Sequence, residues 1–231
     1  ESLQKLLDRG RANGVPDLAI LGRDEILSRE PNITPDVTAA LYAPSAGIVS
    51  PWEMTLALAE TAAVNGVHFM FNTRVTGIRV KDDAVQAVET ERGLLSAPIV
   101  INAAGINADR LARQAGVERY DILPRKGEYL LLDKDLDGFV RHVVFPVPTA
   151  VSKGILVLPT VEGNVLAGPT ATDVRNREDL STTREGLTAI RRGALSLFPG
   201  LPLGKVITSF AGLRAVSADG DFVLRRSAKV R

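Results

Sequence analysis

The sequence predicts a mixed α/β (α+β) protein, and three local patterns carry this prediction. First, Ser50-Pro51-Trp52-Glu53 places a hydroxyl before a proline and an acid, which is the signal of a helix N-terminus. Second, from 99 to 114 an apolar run is followed by small residues and then by a helical pattern. Third, residues 120–224 alternate short apolar runs with Gly, Pro and Asp turns, as antiparallel strands do.

The remaining elements follow from local signals of the same kind. Helix starts carry a hydroxyl or an acid, and helix ends carry Gly, Asn or Pro. These signals predict helices over 3–10, 24–30, 51–65, 108–114 and from the apparent capping box Thr182-Thr183-Arg184-Glu185 to Phe198. Strands are predicted at the apolar runs 67–71, 75–80, 84–90, 99–102, 128–132, 140–145, 155–158, 164–167, 206–210 and 221–224.

Composition limits the classes of function. Of the 231 residues, 45% are hydrophobic and 24% are charged, so the chain is able to bury a globular core. The formal net charge of +1 gives no overall attraction to nucleic acid, and the absence of cysteine excludes disulfides and thiolate metal sites. No apolar run approaches the roughly 20 residues of a membrane-spanning helix, so we expect a cytoplasmic protein, with peripheral membrane contact left open. The sequence starts at Glu1, not at Met, and stops at Arg231 soon after a predicted strand without a turn or capping signal. We therefore expect this chain to be part of a longer protein.

The segment Asn102-Ala103-Ala104-Gly105 is the first candidate binding element. It joins a predicted buried strand to a helix through residues too small to keep a ligand away from the backbone. Such a turn can offer amide groups to a phosphate or a ribose. The alternative is that the small residues merely allow tight packing of the strand against the helix.

Three cationic or titratable residues are candidates for substrate chemistry. Arg214 follows Gly212 after an apolar strand and can make a two-pronged contact with a carboxylate or phosphate. Its alternative role is an ion pair with Asp219 or Asp221. His142 precedes a proline-set loop and can accept a hydroxyl proton, although a lone histidine is often structural. Lys153, beside Gly154 at a predicted strand start, is a candidate contact to an anionic ligand. Its alternative role is a solvated cation at a sheet edge that discourages strand pairing.

Several segments together point to one family. They are Gly47–Pro51, Asn72–Ile78, Asn102–Gly105, Pro124–Tyr129, Phe145–Pro148, Gly163-Asn164, Gly168–Thr170 and Phe210–Arg214, and they span nearly the whole chain. In this order they resemble the segments of the D-amino acid oxidase-like flavoprotein superfamily. The best resemblance is to bacterial FAD-dependent glycerol-3-phosphate dehydrogenases and to L-2-hydroxyglutarate dehydrogenases.

The resemblance implies a partial Rossmann-like FAD-binding domain interleaved with an antiparallel-sheet substrate domain. It assigns 43–118 and 206–231 to the FAD-binding part, and 1–42 and 119–205 to the substrate or cap part. Arg214 would bind the substrate anion with help from Lys153, and His142 would accept the hydroxyl proton. The residues expected to contact FAD are Val75, Ala103, Ala104, Gly105 and Gly212.

The implied function is an FAD-dependent dehydrogenase that oxidises a small anionic 2-hydroxy compound by hydride transfer to the flavin. Glycerol 3-phosphate and a 2-hydroxy acid are both open as substrates, and the electron acceptor is unspecified. The alternatives are an amine-oxidising flavoprotein of the same superfamily and a catalytically silent substrate-binding domain. The family's GxGxxG loop is absent from this sequence, so we expect weak or absent FAD binding and no activity from this chain alone.

Overall fold

The computed structural model describes residues 2–117, 120–148, 154–218 and 220–230. The chain divides into two compact units, each built from three stretches of sequence. The first unit comprises Glu1–Ala57, Gly127–Thr172 and Leu180–Gly212. The second comprises Leu58–Lys126, Asp173–Asp179 and Leu213–Arg231. The assignment of 43–118 with 206–231 to a cofactor domain, and of the rest to a substrate domain, stays a prediction.

The chain combines helices with strands that pair antiparallel, so the mixed α/β class with antiparallel sheets is confirmed. The helices are α1 Leu3–Ala12, α2 Arg23–Arg29, α3 Pro51–Val64, α4 Ala108–Gln114 and α5 Arg184–Leu197. The strands are β1 Ala19–Gly22, β2 Ala39–Tyr42, β3 Val75–Lys81, β4 Ala84–Thr90, β5 Gly93–Leu95, β6 Ile122–Leu132, β7 Leu156–Pro159, β8 Val165–Gly168, β9 Thr172–Asp173 and β10 Val206–Ser217.

The strands form three sheets. β1 and β2 make an antiparallel pair in which Ala19 faces Tyr42. The meander β3-β4-β5 turns at Asp82 and Asp83, whose positive φ angles suit a two-residue hairpin loop. The largest sheet has five strands in the order β10-β6-β8-β7, with β9 also paired to β6.

The main hydrophobic core lies in the first unit, where α5 covers the five-stranded sheet. Leu132, Val157 and Val165 point from the sheet into this core and are fully buried. Ile190 and Ala194 of α5 and its C-cap residue Phe198 are buried as well, as the helical spacing of these apolar residues predicts.

The N-terminus of α5 differs from the prediction in an informative way. The N-cap is Thr183, not Thr182, and its hydroxyl accepts a hydrogen bond from the Gly186 amide at 3.0 Å. The acid that completes the cap is Glu128 of β6, not the neighbouring Glu185. Its two carboxylate oxygens accept from the Thr183 amide at 2.7 Å and from the Thr183 hydroxyl at 2.9 Å. A long-range carboxylate therefore does what a capping box does locally.

Four predicted strands are wrong: 67–71, 99–102, 140–145 and 221–224. The structure assigns no strand to these runs within the residues that it describes, apart from a single bridge between Val144 and Val157. A strand needs a ladder partner, which an apolar run alone cannot supply. Ile101 is 85% exposed, and Val64 of the largely apolar α3 is 88% exposed. These apolar surfaces have no cover from the described part of the chain.

Smaller differences concern element ends. α1 continues through Gly10 to Ala12, and β6 and β10 are both longer than their apolar runs indicate. The start of α3 is confirmed, because the Ser50 hydroxyl accepts from the Glu53 amide at 3.4 Å. Local capping residues therefore predicted the helices more accurately than apolar runs predicted the strands.

The Glu128 cap generates a stability prediction. We expect Glu128→Gln to lower the free energy of unfolding by about 2 kcal/mol, because an amide cannot accept hydrogen bonds at both of its positions. Urea unfolding followed by circular dichroism measures the change. The matched control is Glu185→Gln, an exposed acid in the first turn of α5, for which we expect a change within about 0.5 kcal/mol. Equal losses for the two variants would contradict the assignment of Glu128 as the cap.

Candidate functional site

Three local arrangements carry the candidate functional residues. The first is the turn site, which comprises residues 102–109 with Arg177 in the second unit. The second is the imidazole site in the first unit, which comprises Glu30, Tyr42 and His142. The third is the exposed face of β10, which includes Gly212 and Arg214.

In the turn site, the side chain of Asn102 braces the backbone. Its Oδ1 accepts from the Ala104 amide at 3.3 Å, and its Nδ2 donates to the Ala108 carbonyl oxygen at 2.8 Å. Gly105 has a φ of 54°, a left-handed conformation that favours glycine, and a Cβ built there would meet no atom within 4 Å. Ala103, Ala104 and Gly105 are all exposed, so the backbone is held in place and open to an approaching ligand.

Beneath this turn, Asp109 is the acceptor of a buried hydrogen-bond network. Arg177 donates to both of its carboxylate oxygens, at 2.5 and 2.8 Å, and Arg113 donates at 3.1 Å. The Ile122 amide adds a further bond at 3.3 Å. Arg177 also donates to the carbonyl oxygen of Ile106 inside the turn. The pair therefore fixes the underside of the turn that exposes Ala103 to Gly105.

This network has an electrostatic consequence. The hydrogen bond from Arg177 holds the pKa of Asp109 well below its usual range, against the opposing effect of burial. Because the folded-state pKa is lowered, Asp109 stabilises the fold fully above the unfolded-state value near pH 4 and loses this contribution as the pH falls toward the lowered pKa.

We expect Asp109→Asn to lower the free energy of unfolding at pH 7 by about 3 kcal/mol, because it leaves the Arg177 guanidinium buried without its partner. The difference from the wild type should narrow below about pH 4, because there the Asp109 carboxyl group takes up a proton in the unfolded wild type while it stays ionised in the folded protein. Urea unfolding at pH 7, 4 and 3 measures both effects. The control is Asp173→Asn, which breaks the exposed ion pair with Arg125 and should cost much less. If the difference in the free energy of unfolding between Asp109→Asn and the wild type stayed the same at all three pH values, the proposed role of the Asp109 carboxylate would be contradicted.

In the imidazole site, a buried carboxylate holds the candidate base. Glu30 is only 3% exposed and accepts from the backbone amides of Arg141 and His142, each at 3.0 Å. The same oxygen lies 2.9 Å from Nδ1 of His142. The His142 ring meets the Tyr42 ring edge-on at 6.0 Å, and 39% of the His142 side chain is exposed. One nitrogen of the imidazole is thus engaged while part of the ring remains accessible.

The candidate anchor Arg214 lies on β10. Phe210, Gly212 and Arg214 occupy alternate positions of this strand, and all three are exposed. A Cβ at Gly212 would meet no atom within 4 Å, so the strand leaves open space beside it. Arg214 forms no ion pair with Asp221 or any other residue that the structure describes, and Asp219 lies outside the described residues. The guanidinium is therefore available for an anion.

The structure brings three of the predicted cofactor-binding residues together. Ala103, Ala104 and Gly105 form one exposed turn, and Val75 is exposed at the start of β3. Lys153 lies outside the described residues. Within the described ranges, no group of three acidic or histidine side chains could hold a metal ion, and no helix is long and apolar enough to cross a bilayer.

Sequence reasoning missed Glu30, Asp109 and Arg177. For Glu30 a signal existed: it is the C-cap of α2, and an acid at the negative end of a helix is unfavourable unless something else binds it. Asp109 and Arg177 are 68 residues apart, and no local pattern predicts that they meet.

Comparisons with known proteins identify the class. The family model for FAD dependent oxidoreductases matches residues 1–231, so the chain belongs to this family. The glycerol 3-phosphate dehydrogenase of Caloramator mitchellensis is 40% identical over 227 residues, which is 98% of this chain and 47% of the relative. The L-2-hydroxyglutarate dehydrogenase of Escherichia coli K12 is 32% identical over 77% of this chain and 42% of the relative.

Among solved structures, the chain is similar to dithionite-reduced L-alpha-glycerophosphate oxidase from Mycoplasma pneumoniae with FAD bound. The TM-score is 0.90 and the identity 30%, over 98% of this chain and 61% of that structure. The chain spans about half the length of the curated dehydrogenase relatives it matches. The resemblance deduced from the sequence is thereby confirmed.

The family implies FAD, and the residues matched to it fit this cofactor. A dinucleotide lying against a protein needs exposed backbone with little side-chain bulk. Ala103, Ala104 and Gly105 meet this requirement on the braced turn, and Gly212 meets it on β10. Val75 is exposed and offers an apolar contact. None of these five positions is closed off by the described part of the chain.

Proposed function

We propose that the protein to which this chain belongs is an FAD-dependent enzyme that oxidises a small anionic 2-hydroxy compound, with glycerol 3-phosphate as the preferred candidate. The observation that carries this proposal is the 40% identity to a glycerol 3-phosphate dehydrogenase, sustained over 98% of the chain. The exposed guanidinium of Arg214 supports this proposal, because a guanidinium can bind the phosphate or carboxylate of such a substrate.

Arg214 is the proposed substrate anchor. A guanidinium presents a planar fork of donors that matches phosphate and carboxylate oxygens, and Gly212 on the same strand face leaves room for the ligand. Lys153 is proposed as a second cation near the substrate. Together they would orient the carbon that bears the hydroxyl.

His142 is the proposed base. Oxidation of an alcohol releases the hydroxyl proton as well as a hydride, and an imidazole accepts a proton readily near neutral pH. Val75, the turn Ala103 to Gly105, and Gly212 would hold the cofactor. When bound, FAD supplies the redox chemistry by accepting the hydride.

The direct test is an anaerobic absorbance titration of the protein at its natural length, with FAD bound. We expect glycerol 3-phosphate to bleach the oxidised flavin bands. Bleaching by L-2-hydroxyglutarate instead would move the substrate to a 2-hydroxy acid. Bleaching by glycine or sarcosine alone would favour an amine-oxidising enzyme. Failure to bind FAD even after reconstitution would leave a silent substrate-binding domain and contradict the proposal.

The anchor role predicts a specific kinetic change. We expect Arg214→Gln to raise the KM for the anionic substrate roughly 10- to 100-fold, the loss expected for a charge-assisted hydrogen-bonded contact. The FAD content should stay unchanged. Steady-state kinetics with the purified variants measures this effect. The control is Arg79→Gln, an exposed arginine on β3, which should leave the KM at the wild-type value. An unchanged KM for Arg214→Gln would remove Arg214 from the substrate site.

A further inference from the structure

Glu30 is a buried acid that lies against the candidate base His142. It caps the C-terminal end of α2, where the helix dipole disfavours a negative charge. Yet it is 3% exposed, and no buried polar side-chain atom among the described residues is left without a hydrogen-bond partner. An acid buried at an unfavourable helix end indicates that its partners provide the compensation.

Those partners determine what the carboxylate can do. Oε2 of Glu30 accepts from the amides of Arg141 and His142, and Oε1 also lies 3.1 Å from the Arg141 amide. Because Oε2 already accepts two amide hydrogens, its geometry is that of a hydrogen-bond acceptor. The third group at Oε2 is Nδ1 of His142, at 2.9 Å. Nδ1 must therefore carry the proton in this hydrogen bond, which leaves the lone pair of the neutral ring on Nε2.

The ring is also held from a second side. Tyr42 of β2 meets the His142 ring at an interplanar angle of 78°. The guanidinium of Arg29 lies over the Tyr42 ring, 4.7 Å from its centroid. Backbone bonds to Glu30, the Nδ1 contact and the Tyr42 edge together restrict the direction in which the imidazole points.

We propose that Glu30 is a positioning residue that holds His142 in its Nδ1–H form and presents Nε2 to the substrate hydroxyl as the proton acceptor. This inference rests on the proposed function, in which His142 is the base. The O–H bond of the alcohol would break and its proton would pass to Nε2, and bound FAD would supply the acceptor for the hydride that leaves the carbinol carbon. The carboxylate of Glu30 stabilises the imidazolium that forms, as a buried acid does for a catalytic histidine.

The first measurement determines the tautomer of His142 and does not depend on activity. The protein at its natural length is labelled with ¹⁵N at histidine, and the His142 signals are those lost in His142→Gln. Long-range ¹H–¹⁵N correlation should show the neutral ring protonated at Nδ1. In Glu30→Gln the side-chain amide can donate to Nδ1, so we expect a shift toward the Nε2–H form. A wild-type ring protonated at Nε2 would overturn the proposal without any variant.

The second measurement is the rate of anaerobic flavin reduction by glycerol 3-phosphate. We expect His142→Gln to lower the limiting rate constant roughly 100- to 10,000-fold, the range for loss of a general base. Glu30→Gln should lower it by a smaller factor, with little change in substrate affinity. The double variant should be no slower than His142→Gln, because Glu30 acts through His142.

Two control variants test whether a lower rate in Glu30→Gln comes from a misplaced His142 ring or from a general loss of folded structure. Glu30→Asp keeps the carboxylate and should recover part of the rate, whereas Asp24→Asn changes an exposed acid in the first turn of the same helix and should leave the rate unchanged. Additive losses in the double variant would show that Glu30 acts independently of His142, and would overturn the inference. If His142→Gln reduced flavin at the wild-type rate, His142 would not be the base, and the positioning role would be overturned with it. If no substrate reduced the wild-type flavin, the proposed function itself would be wrong. The tautomer measurement distinguishes this result from failure of the Glu30 proposal, because it tests the hydrogen bond between Glu30 and His142 without any substrate.

Discussion

The carboxylate of Glu128 at the N-terminus of α5 is the interaction on which the first unit depends. It ties the central strand β6 to the helix that covers the main core, and it binds the Thr183 amide and hydroxyl together. Gly186 accommodates this contact, because a Cβ there would come within 2.4 Å of the carboxylate. A buried charge is costly unless hydrogen bonds replace its water, so the sheet and the helix have to meet in one arrangement.

Two other buried carboxylates follow the same rule and lie beside the candidate functional groups. Asp109 accepts hydrogen bonds from Arg177 and Arg113 beneath the exposed turn. Glu30 accepts hydrogen bonds from the backbone amides of Arg141 and His142. In each case the charged group is satisfied from segments distant in sequence. The residues proposed to meet ligands, by contrast, remain exposed or partly exposed. Rigid support below an open surface is what a cofactor-binding turn or an oriented base requires.

The sequence predicted those features whose cause is local. Ser50-Pro51 and Asn65-Gly66 bound α3, and the two aspartates of the meander turn adopt the backbone that their hairpin needs. Apolar content at 67–71 and 99–102 predicted strands that lack ladder partners in the described part of the chain, because pairing depends on residues elsewhere. Glu128, Asp109 and Glu30 could not be recognised as buried acceptors, since their donors lie up to 112 residues away. Arg214 and the turn Ala103 to Gly105 could be proposed as candidates because the signals for them, a neighbouring glycine and a run of small residues, lie next to each other in the sequence.

The most direct test of the account is a crystal structure of the protein at its natural length with FAD and glycerol 3-phosphate, prepared without oxygen. The account predicts the Arg214 guanidinium within hydrogen-bond distance of the phosphate oxygens, and Nε2 of His142 within reach of the hydroxyl on the carbon to be oxidised. It also predicts the turn Ala103 to Gly105 in contact with FAD. A substrate bound away from both Arg214 and His142 would contradict the proposed mechanism, even if the same enzyme reduced its flavin.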